Sequence, residues 1–307
     1  MPDRLTTDII DAELAPGARN AIRVCLRLQP TERITIITDE ATTEIAAALQ
    51  AEVEEVGAAH AVFVLENYAE RPLTGMPKII LDDLAQSQVS IFAARTLTGE
   101  LGSRIEMTAV INKNRIRHGH MVNINRQIMV EGMRADFIAV DALSQRLIER
   151  ARRAERIRCQ TPHETDFEAE FSSGTFVIDG VVGDYLCAKY GDLATAPLTV
   201  EVEDSRIREM RSENKKLLEE FRAYTNTDEN SNRVGEFAIG TNTACTHVIG
   251  NILQDEKIPG VHLAFGHPYA EHTGADWISK THIDCVGRDF DIWFDGEQVM
   301  RNGKFLV

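Results

Sequence analysis

Short apolar runs alternate with helix-like segments in the first third of the chain, and this alternation most limits the folds available to it. Residues 33–38 (RITIIT) and 61–65 (AVFVL) are rich in branched apolar side chains, as buried parallel strands require. Between these runs, apolar residues recur at helical spacing up to Gly57, which suits a helix C-terminus. A third run at residues 89–94 follows another helix-like segment. The pattern predicts an α/β domain with a mainly parallel sheet covered by helices.

The periodicity of the sequence changes after about residue 158. A helical segment at residues 141–157 precedes the change and is predicted to close the first domain. Beyond it lie short strand-like runs, one amphipathic helix at residues 212–226 and an Asp295-Gly296 pair suited to a type I′ hairpin turn. We therefore predict an α/β domain over residues 1–157 and an α+β domain over residues 158–307.

The charge of the chain and the segment after its first strand argue against nucleic-acid and nucleotide binding. A formal net charge of -15 repels phosphate backbones. Residues 33–44 (RITIITDEATTE) place acids where a dinucleotide-binding fold has glycines. We expect no nucleic-acid partner and no bound nucleotide.

Cysteine usage and hydropathy predict where the protein resides. The five cysteines are widely spaced and include no CxxC pair, which argues against a disulfide framework and a zinc knuckle. The first 20 residues contain no apolar stretch that resembles a signal peptide. No run of about 18 apolar residues occurs in the chain. We expect a cytoplasmic protein with no membrane partner.

Histidines and carboxylates gather in the C-terminal third of the chain. Five of the nine histidines lie between residues 247 and 282, with acids interleaved among them. Imidazole and carboxylate together suit zinc, manganese, cobalt or ferrous iron. Residues 281–286 (THIDCV) form an apolar strand-like run in which His282 and Asp284 are two residues apart. Both side chains therefore point to one face of the strand, where they can chelate one ion.

Two more strand-like runs carry one ionisable residue each. Glu236 interrupts residues 234–240 (VGEFAIG), and His262 interrupts residues 261–266 (VHLAFG). A buried carboxylate or imidazole needs a partner, and one shared metal would serve all four residues. Two alternatives remain open here. Glu236 could form a salt bridge with Arg233, and His262 could be a core histidine bonded to the backbone.

Three C-terminal segments resemble the signatures of the aminopeptidase T family of metallopeptidases. They are RVGEFAIGTN (233–242), LQDEKIPGVHLAFGHPY (253–269) and GADWISKTHIDCV (274–286). Segments in the first two thirds are similar as well, so the resemblance covers nearly the whole chain. It implies a two-domain enzyme, usually a homodimer, with a two-metal site in its C-terminal domain. Such enzymes release N-terminal residues from small peptides.

The resemblance also implies roles for individual residues. The positions of metal ligands are matched by five residues: Glu236, Glu256, His262, His282 and Asp284. Tyr269 matches an active-site tyrosine that stabilises the tetrahedral intermediate, and Glu256 is expected to take part in catalysis as well. The implied cofactor is a divalent metal, namely zinc, cobalt or manganese.

One segment departs from the family pattern. A further metal-centre glutamate, in a Pro-Ser/Ala-Gly-Glu-Val-Phe type motif, has no counterpart before residues 174–180 (GTFVIDG). Four nearby acids are possible replacements without a supporting motif: Glu164, Asp166, Glu168 and Glu170.

The 2,5-dihydroxypyridine dioxygenases, which resemble offshoots of the same fold, also lack this glutamate. They hold one ferrous iron by two histidines and one aspartate. The chain keeps His282 and Asp284 of that triad, but it has Glu236 in place of the other histidine. Three hypotheses follow, of which the metal-dependent hydrolase leads. The others are a ring-cleaving Fe(II) dioxygenase acting on a dihydroxylated aromatic, and a degenerate homologue without catalytic activity.

Overall fold

The computed structural model of the protein describes residues 2–3, 5, 11–97, 99–170, 172–269 and 273–307. The chain forms two compact units, Met1–Phe137 and Ile138–Val307. The helix that we predicted to close the first domain therefore begins the second unit, where its Leu143 and Leu147 are buried in the core. The domain boundary after residue 157 concerns independent folding and stays a prediction.

A four-stranded parallel sheet forms the centre of the first unit. Its strands are β1 (Arg33–Thr38), β2 (Ala59–Val64), β3 (Val89–Ala93) and β4 (Arg117–His120), in the order β2-β1-β3-β4. The helices are α1 (Ala15–Arg19), α2 (Thr43–Val56), α3 (Lys78–Leu84), α4 (Leu101–Asn114) and α5 (Arg126–Val130), with a π-helix at Asn20–Cys25 and 3-10 turns at Glu40–Thr42, Leu65–Asn67 and Gly132–Arg134. All three strand pairings are parallel, which confirms the predicted α/β sheet.

The first β-α-β unit forms where the sequence pattern placed it. Ile34, Ile36 and Ile37 of β1 are fully buried on both faces of the sheet, as expected for a central parallel strand. Helix α2 ends at Gly57, whose φ of 81° lies in the left-handed region that glycine adopts at little cost.

A buried ion-pair network lies at the carboxyl end of β1. Asp39 follows the strand and caps the next 3-10 turn through Thr42. Arg71 donates to the Asp39 carboxylate at 2.9 Å and to Glu100 at 2.6 Å. Open parallel sheets commonly bind ligands at this end of their strands. Here the end of β1 carries the ion pairs of Arg71 with Asp39 and Glu100.

The second unit contains two antiparallel sheets, as an α+β architecture. Its helices are α6 (Phe137–Ala151), α7 (Asp184–Tyr190), α8 (Lys215–Tyr224) and α9 (Ile252–Asp255). Its strands are β5 (Ile157–Gln160), β6 (Asp166–Glu168), β7 (Ser173–Ile178), β8 (Leu198–Glu203), β9 (Arg206–Ser212), β10 (Val234–Gly240), β11 (Gly260–Gly266), β12 (His282–Val286), β13 (Asp291–Phe294), β14 (Glu297–Arg301) and β15 (Lys304–Phe305). One sheet has the order β10-β11-β12, and the other has the order β15-β14-β13-β5-β6-β7-β8-β9.

One apolar core serves both sheets of the second unit. Phe176 of β7 stacks on Phe290, and Phe221 of α8 meets Phe265 of β11 edge to face. Leu263, two residues before Phe265, is buried in the same core. Side chains alternate along a strand, so β11 turns its other residues to the opposite face of the small sheet.

The hairpin predicted near the C-terminus is also present. Asp295 and Gly296 connect β13 to β14 with φ values of 49° and 87°, as a type I′ turn requires. None of the helices in the described part of the chain has the length and apolar character needed to cross a membrane.

Candidate metal centre

The small sheet of the second unit brings four of the predicted ligands to one face. In the register of this sheet, Ala264 of β11 lies opposite Glu236 on one side and Asp284 on the other. His262 shares this face because it is two residues from Ala264, and His282 shares it because it is two residues from Asp284. The only side-chain atom of Ala264 is a methyl group, so the middle of this face is left to the four longer side chains around it.

Short distances connect these four side chains. His282 Nε2 lies 3.3 Å from Asp284 Oδ1 and 3.8 Å from Glu236 Oε2. His262 Nε2 lies 3.3 Å from the other oxygen, Glu236 Oε1. The Glu236 carboxylate therefore bridges the two imidazoles. The face is partly buried: the exposed fraction of the side chain is 9% for His262 and 34% for Glu236.

Among the residues that the structure describes, two groups of potential ligand atoms share one carboxylate. The first ligand group consists of Glu236, His282 and Asp284, and the second consists of Glu256, His262 and Asp284. Within each group the potential ligand atoms lie within 4.8 Å of one another. Glu256 follows α9 and forms an ion pair with Lys257. Two metal ions held close together would supply the chemistry of metal-assisted hydrolysis.

The contacts of the two imidazoles fit metal binding. His282 Nδ1 lies 2.9 Å from the backbone oxygen of His267, which leaves Nε2 directed at the carboxylates. Such a contact fixes the ring and tautomer of a ligating histidine. His262 Nδ1 is buried and has no hydrogen-bond partner among the described residues. An orphaned imidazole nitrogen within a set of nitrogen and carboxylate donors fits a site for zinc, cobalt or manganese.

The negative charges of the site also favour binding of a cation. Burial opposes ionisation of Asp284, but its hydrogen bond with His282 holds its pKa below the usual value. The hydrogen bond from His262 lowers the pKa of Glu236. Burial disfavours the charged form of His282, yet Asp284, the His267 carbonyl and Glu236 together raise its pKa to about 9. A proton on His282 therefore offsets part of the negative charge of these carboxylates. A bound metal cation could offset the same charge.

Tyr269 and Glu256 lie beside these groups in different environments. The ring of Tyr269 is 4.9 Å from that of His282 and 5.1 Å from that of His267. Its side chain is 46% exposed, and its φ of 47° lies in the left-handed region. Burial raises the pKa of Glu256. A carboxylate of raised pKa is a stronger proton acceptor than an ordinary carboxylate.

The structure shows other partners for several residues that the sequence left open. Arg233 stacks on Trp277 at 4.5 Å, whereas the ion pairs of Glu236 among the described residues are with His262 and His282. The neighbouring acid Asp255 is fully buried and accepts hydrogen bonds from three backbone amides of residues 249–251.

The possible replacements for the missing glutamate lie elsewhere. Glu164, Asp166 and Glu168 form ion pairs with arginines: Arg211 at 3.7 Å, Arg158 at 2.6 Å and Arg156 at 2.6 Å. Glu170 is exposed. Neither ligand group includes any of these four acids. Glu271 and His272, which fall in the predicted cluster, lie outside the described residues.

Two supporting residues were not identified from the sequence. Tyr224 of α8 donates a hydrogen bond to the backbone oxygen of His282 at 3.2 Å. Asp228 accepts hydrogen bonds from the Lys280 amide at 2.7 Å and the Ser279 hydroxyl at 3.0 Å, just before β12. Both residues are more than 50 positions away from their partners. Their spacing along the chain therefore carries no signal of these contacts.

Comparisons with known proteins agree with the resemblance seen in the sequence. Residues 162–305 match the family model of the thermophilic metalloproteases (M29). The structure of 2,5-dihydroxypyridine dioxygenase from Pseudomonas putida KT2440 has a TM-score of 0.71 and 13% identity, and the match covers 99% of each chain. Wild-type AmpT from Thermus thermophilus has a TM-score of 0.61 and 18% identity, and the match covers 96% of this chain and 99% of that chain. A search of curated proteins found no match.

The two structural matches show a shared fold, and the family match supports a metal-dependent peptidase. The resemblance of this chain to the aminopeptidase T-type, M29 metallopeptidase family, and more distantly to the 2,5-dihydroxypyridine dioxygenases, is therefore confirmed.

Proposed function

We propose that the protein is a metal-dependent aminopeptidase that releases N-terminal residues from small peptides. The observation that carries this proposal is the sharing of Asp284 by the two ligand groups. The proposed metal ligands are Glu236, Glu256, His262, His282 and Asp284, with zinc, cobalt or manganese as the metal. The match to a metalloprotease family over residues 162–305 supports the same chemistry.

The residues of the site suit hydrolysis of a peptide bond. Two bound divalent ions would supply polarisation of the scissile carbonyl and a lower pKa for the attacking water. The Glu256 carboxylate accepts a proton from that water and returns it to the leaving amine. The Tyr269 hydroxyl donates a hydrogen bond to the oxygen of the tetrahedral intermediate. Two such ions would also orient the substrate through its free α-amine.

Measurement of amine release from aminoacyl substrates tests this function. We expect turnover by metal-loaded protein, loss of turnover with a chelator, and loss of both metal and turnover in His282→Ala. His247→Ala is the matched control, because His247 is an exposed histidine of the same unit that belongs to neither ligand group. A protein that holds its metal ions but cleaves no aminoacyl or peptide substrate would exclude the peptidase.

The second candidate is a single-iron dioxygenase that cleaves a dihydroxylated aromatic ring. Its support is the first ligand group, which keeps a histidine and an aspartate two residues apart, together with the fold shared with a dioxygenase. The site has Glu236 where that chemistry expects a second histidine. Oxygen uptake that requires ferrous iron and such a ring would favour this candidate.

Absence of metal binding would favour a degenerate, non-catalytic homologue. The predicted homodimer and cytoplasmic location stay predictions.

A further inference from the structure

The first unit contains a chain of polar contacts that the proposed function does not use. His118 and His120 are two residues apart on the edge strand β4, so their rings lie on the same face. His118 Nε2 lies 3.1 Å from His120 Nδ1, and His118 Nδ1 lies 2.8 Å from the hydroxyl of the buried Ser90. The ring of His120 stacks on Phe92 of β3. Both imidazoles are therefore held in fixed orientations.

The series of contacts from Ser90 through His118 to His120 leaves one ring nitrogen, His120 Nε2, for a further contact. His120 Nδ1 is used by His118, whereas no hydrogen bond to His120 Nε2 occurs among the described residues. When Ser90 donates to His118 and His118 donates to His120, the Nε2 of His120 carries a hydrogen. His120 Nε2, at the exposed end of this series of contacts, is then an N–H donor even when both imidazoles are neutral.

Arg104 supplies a second donor and a positive charge close to this end. It lies in the first turn of α4, on the same helix face as Met107 and Ile111, which pack in the core cluster that contains Phe92. Its Nε is buried and has no hydrogen-bond partner among the described residues. Dehydration of the His120 ring and the charge of Arg104 both lower the pKa of His120, which is consistent with their proximity.

These groups converge at the carboxyl end of the parallel sheet. His120 is the last residue of β4, and α4 follows the carboxyl end of the neighbouring strand β3. Open parallel sheets bind ligands at this end. The end of β1 is filled by Arg71 and its paired acids, whereas Arg104 and His120 keep unpaired donors. A metal cation here would face the charge of Arg104, but an anion would pair with it.

We propose that Arg104 and His120 bind a small oxyanion, either a carboxylate or a phosphate, at the carboxyl end of β3 and β4. One oxygen accepts from the Arg104 guanidinium and a second accepts from His120 Nε2. The contact with His118 and Ser90 holds the donor hydrogen on His120. The site uses none of the proposed metal ligands and does not depend on the peptidase proposal.

Nuclear magnetic resonance of the histidine rings in the full-length chain tests this site. The protein is titrated with inorganic phosphate in one series and with acetate in another, at an ionic strength kept constant with sodium chloride. We expect the His120 ring nitrogens to shift saturably with at least one of these ions, and the lower half-saturation concentration identifies the preferred oxyanion. Because an oxyanion can also reach a metal centre, the measured signal must belong to His120.

A variant of Arg104 and a matched control variant test which residue binds the anion. Arg104→Gln should weaken binding at least about tenfold, because it removes a charge-assisted hydrogen bond. Lys113→Gln removes the same charge from an exposed position on the same helix and should bind as the wild type does. If Arg104→Gln fails to fold, His120→Ala is compared by the thermal stabilisation that phosphate or acetate confers.

Three results would overturn the proposal. The first is a His120 signal that moves no more with either oxyanion than with chloride. The second is equal affinity in Arg104→Gln and the wild type. The third is saturable binding of Zn²⁺ to the histidine pair when neither oxyanion binds, which would make the pair a metal site instead.

Discussion

The Nε2 atom of His282 lies 3.3 Å from Oδ1 of Asp284, two residues further along the same strand. Asp284 also belongs to the group formed by Glu256 and His262. The Asp284 carboxylate therefore belongs to both candidate metal positions. Its replacement should affect both positions, whereas replacement of a ligand that belongs to one group should affect only that position.

Asp284→Asn should lower metal content at both positions, because the amide has no negative charge to share between two cations. Glu256→Gln is the matched change, since Glu256 belongs only to the second ligand group and should leave the first occupied. Elemental mass spectrometry after dialysis against the metal measures ions per chain. Equal metal content in the two variants would contradict the shared role of Asp284.

Tyr269→Phe should reduce kcat by about 100-fold or more with little change in KM or metal content, as loss of an oxyanion donor does. The ring remains next to His282, so packing is retained. Tyr185→Phe removes a hydroxyl from another exposed tyrosine of the same unit and should have no effect on kcat. A Tyr269→Phe enzyme with wild-type kcat would remove this tyrosine from the mechanism.

The elements of the site could be predicted from the sequence because each is a local pattern. Residues 234–240 are apolar apart from Glu236, and β10 has those same bounds. The His282-x-Asp284 spacing places both side chains on one face in any strand. Gly57 ends α2 for an equally local reason, since its φ of 81° favours glycine.

The pairing of these elements could not be predicted, because it depends on contacts between distant segments. A register shift between Val234 and Glu236 places Glu236 opposite Ala264, and nothing local specifies it. The carbonyl of His267 that orients His282 belongs to the backbone and has no residue-specific signal. The helix that starts at Phe137 is amphipathic in either unit, so its pattern alone cannot assign it to the second.

Asp228→Asn should loosen the segment that leads into β12 and weaken metal binding. The Asp228 carboxylate accepts from the amides of Lys280 and Asn230 and from the Ser279 hydroxyl. The hydrogen bond from the Lys280 amide contributes most to lowering the pKa of Asp228 to about 2, and burial opposes this effect. Asparagine would turn an NH₂ group toward at least one of these donors.

Hydrogen exchange of the amides of residues 279–281 measures the loosening, and a metal titration measures the second effect. We expect faster exchange and a higher metal dissociation constant. Glu229→Gln, at the exposed neighbouring residue, is the control and should change neither quantity. Unchanged exchange at Lys280 in Asp228→Asn would show that the carboxylate does not hold this segment.

Glu100→Gln should make the stability of the first unit less dependent on acid pH. Burial opposes ionisation of Glu100, which is 3% exposed, but hydrogen bonds from Arg71 and from the amides of Leu73 and Leu97 lower its pKa from 4.5 to about 2. A lowered folded-state pKa stabilises the fold above pH 4.5, and this contribution is lost as the pH falls toward 2. The shift corresponds to about 3 kcal/mol.

The variant should therefore be less stable than the wild type at pH 7, by an amount that shrinks toward pH 2. Urea unfolding followed by hydrogen exchange of the β1 amides measures the difference, with Glu70→Gln as the control because it removes an exposed charge from the same unit. A stability difference that is the same at pH 7 and pH 3 would show that ionised Glu100 does not stabilise the Arg71 network.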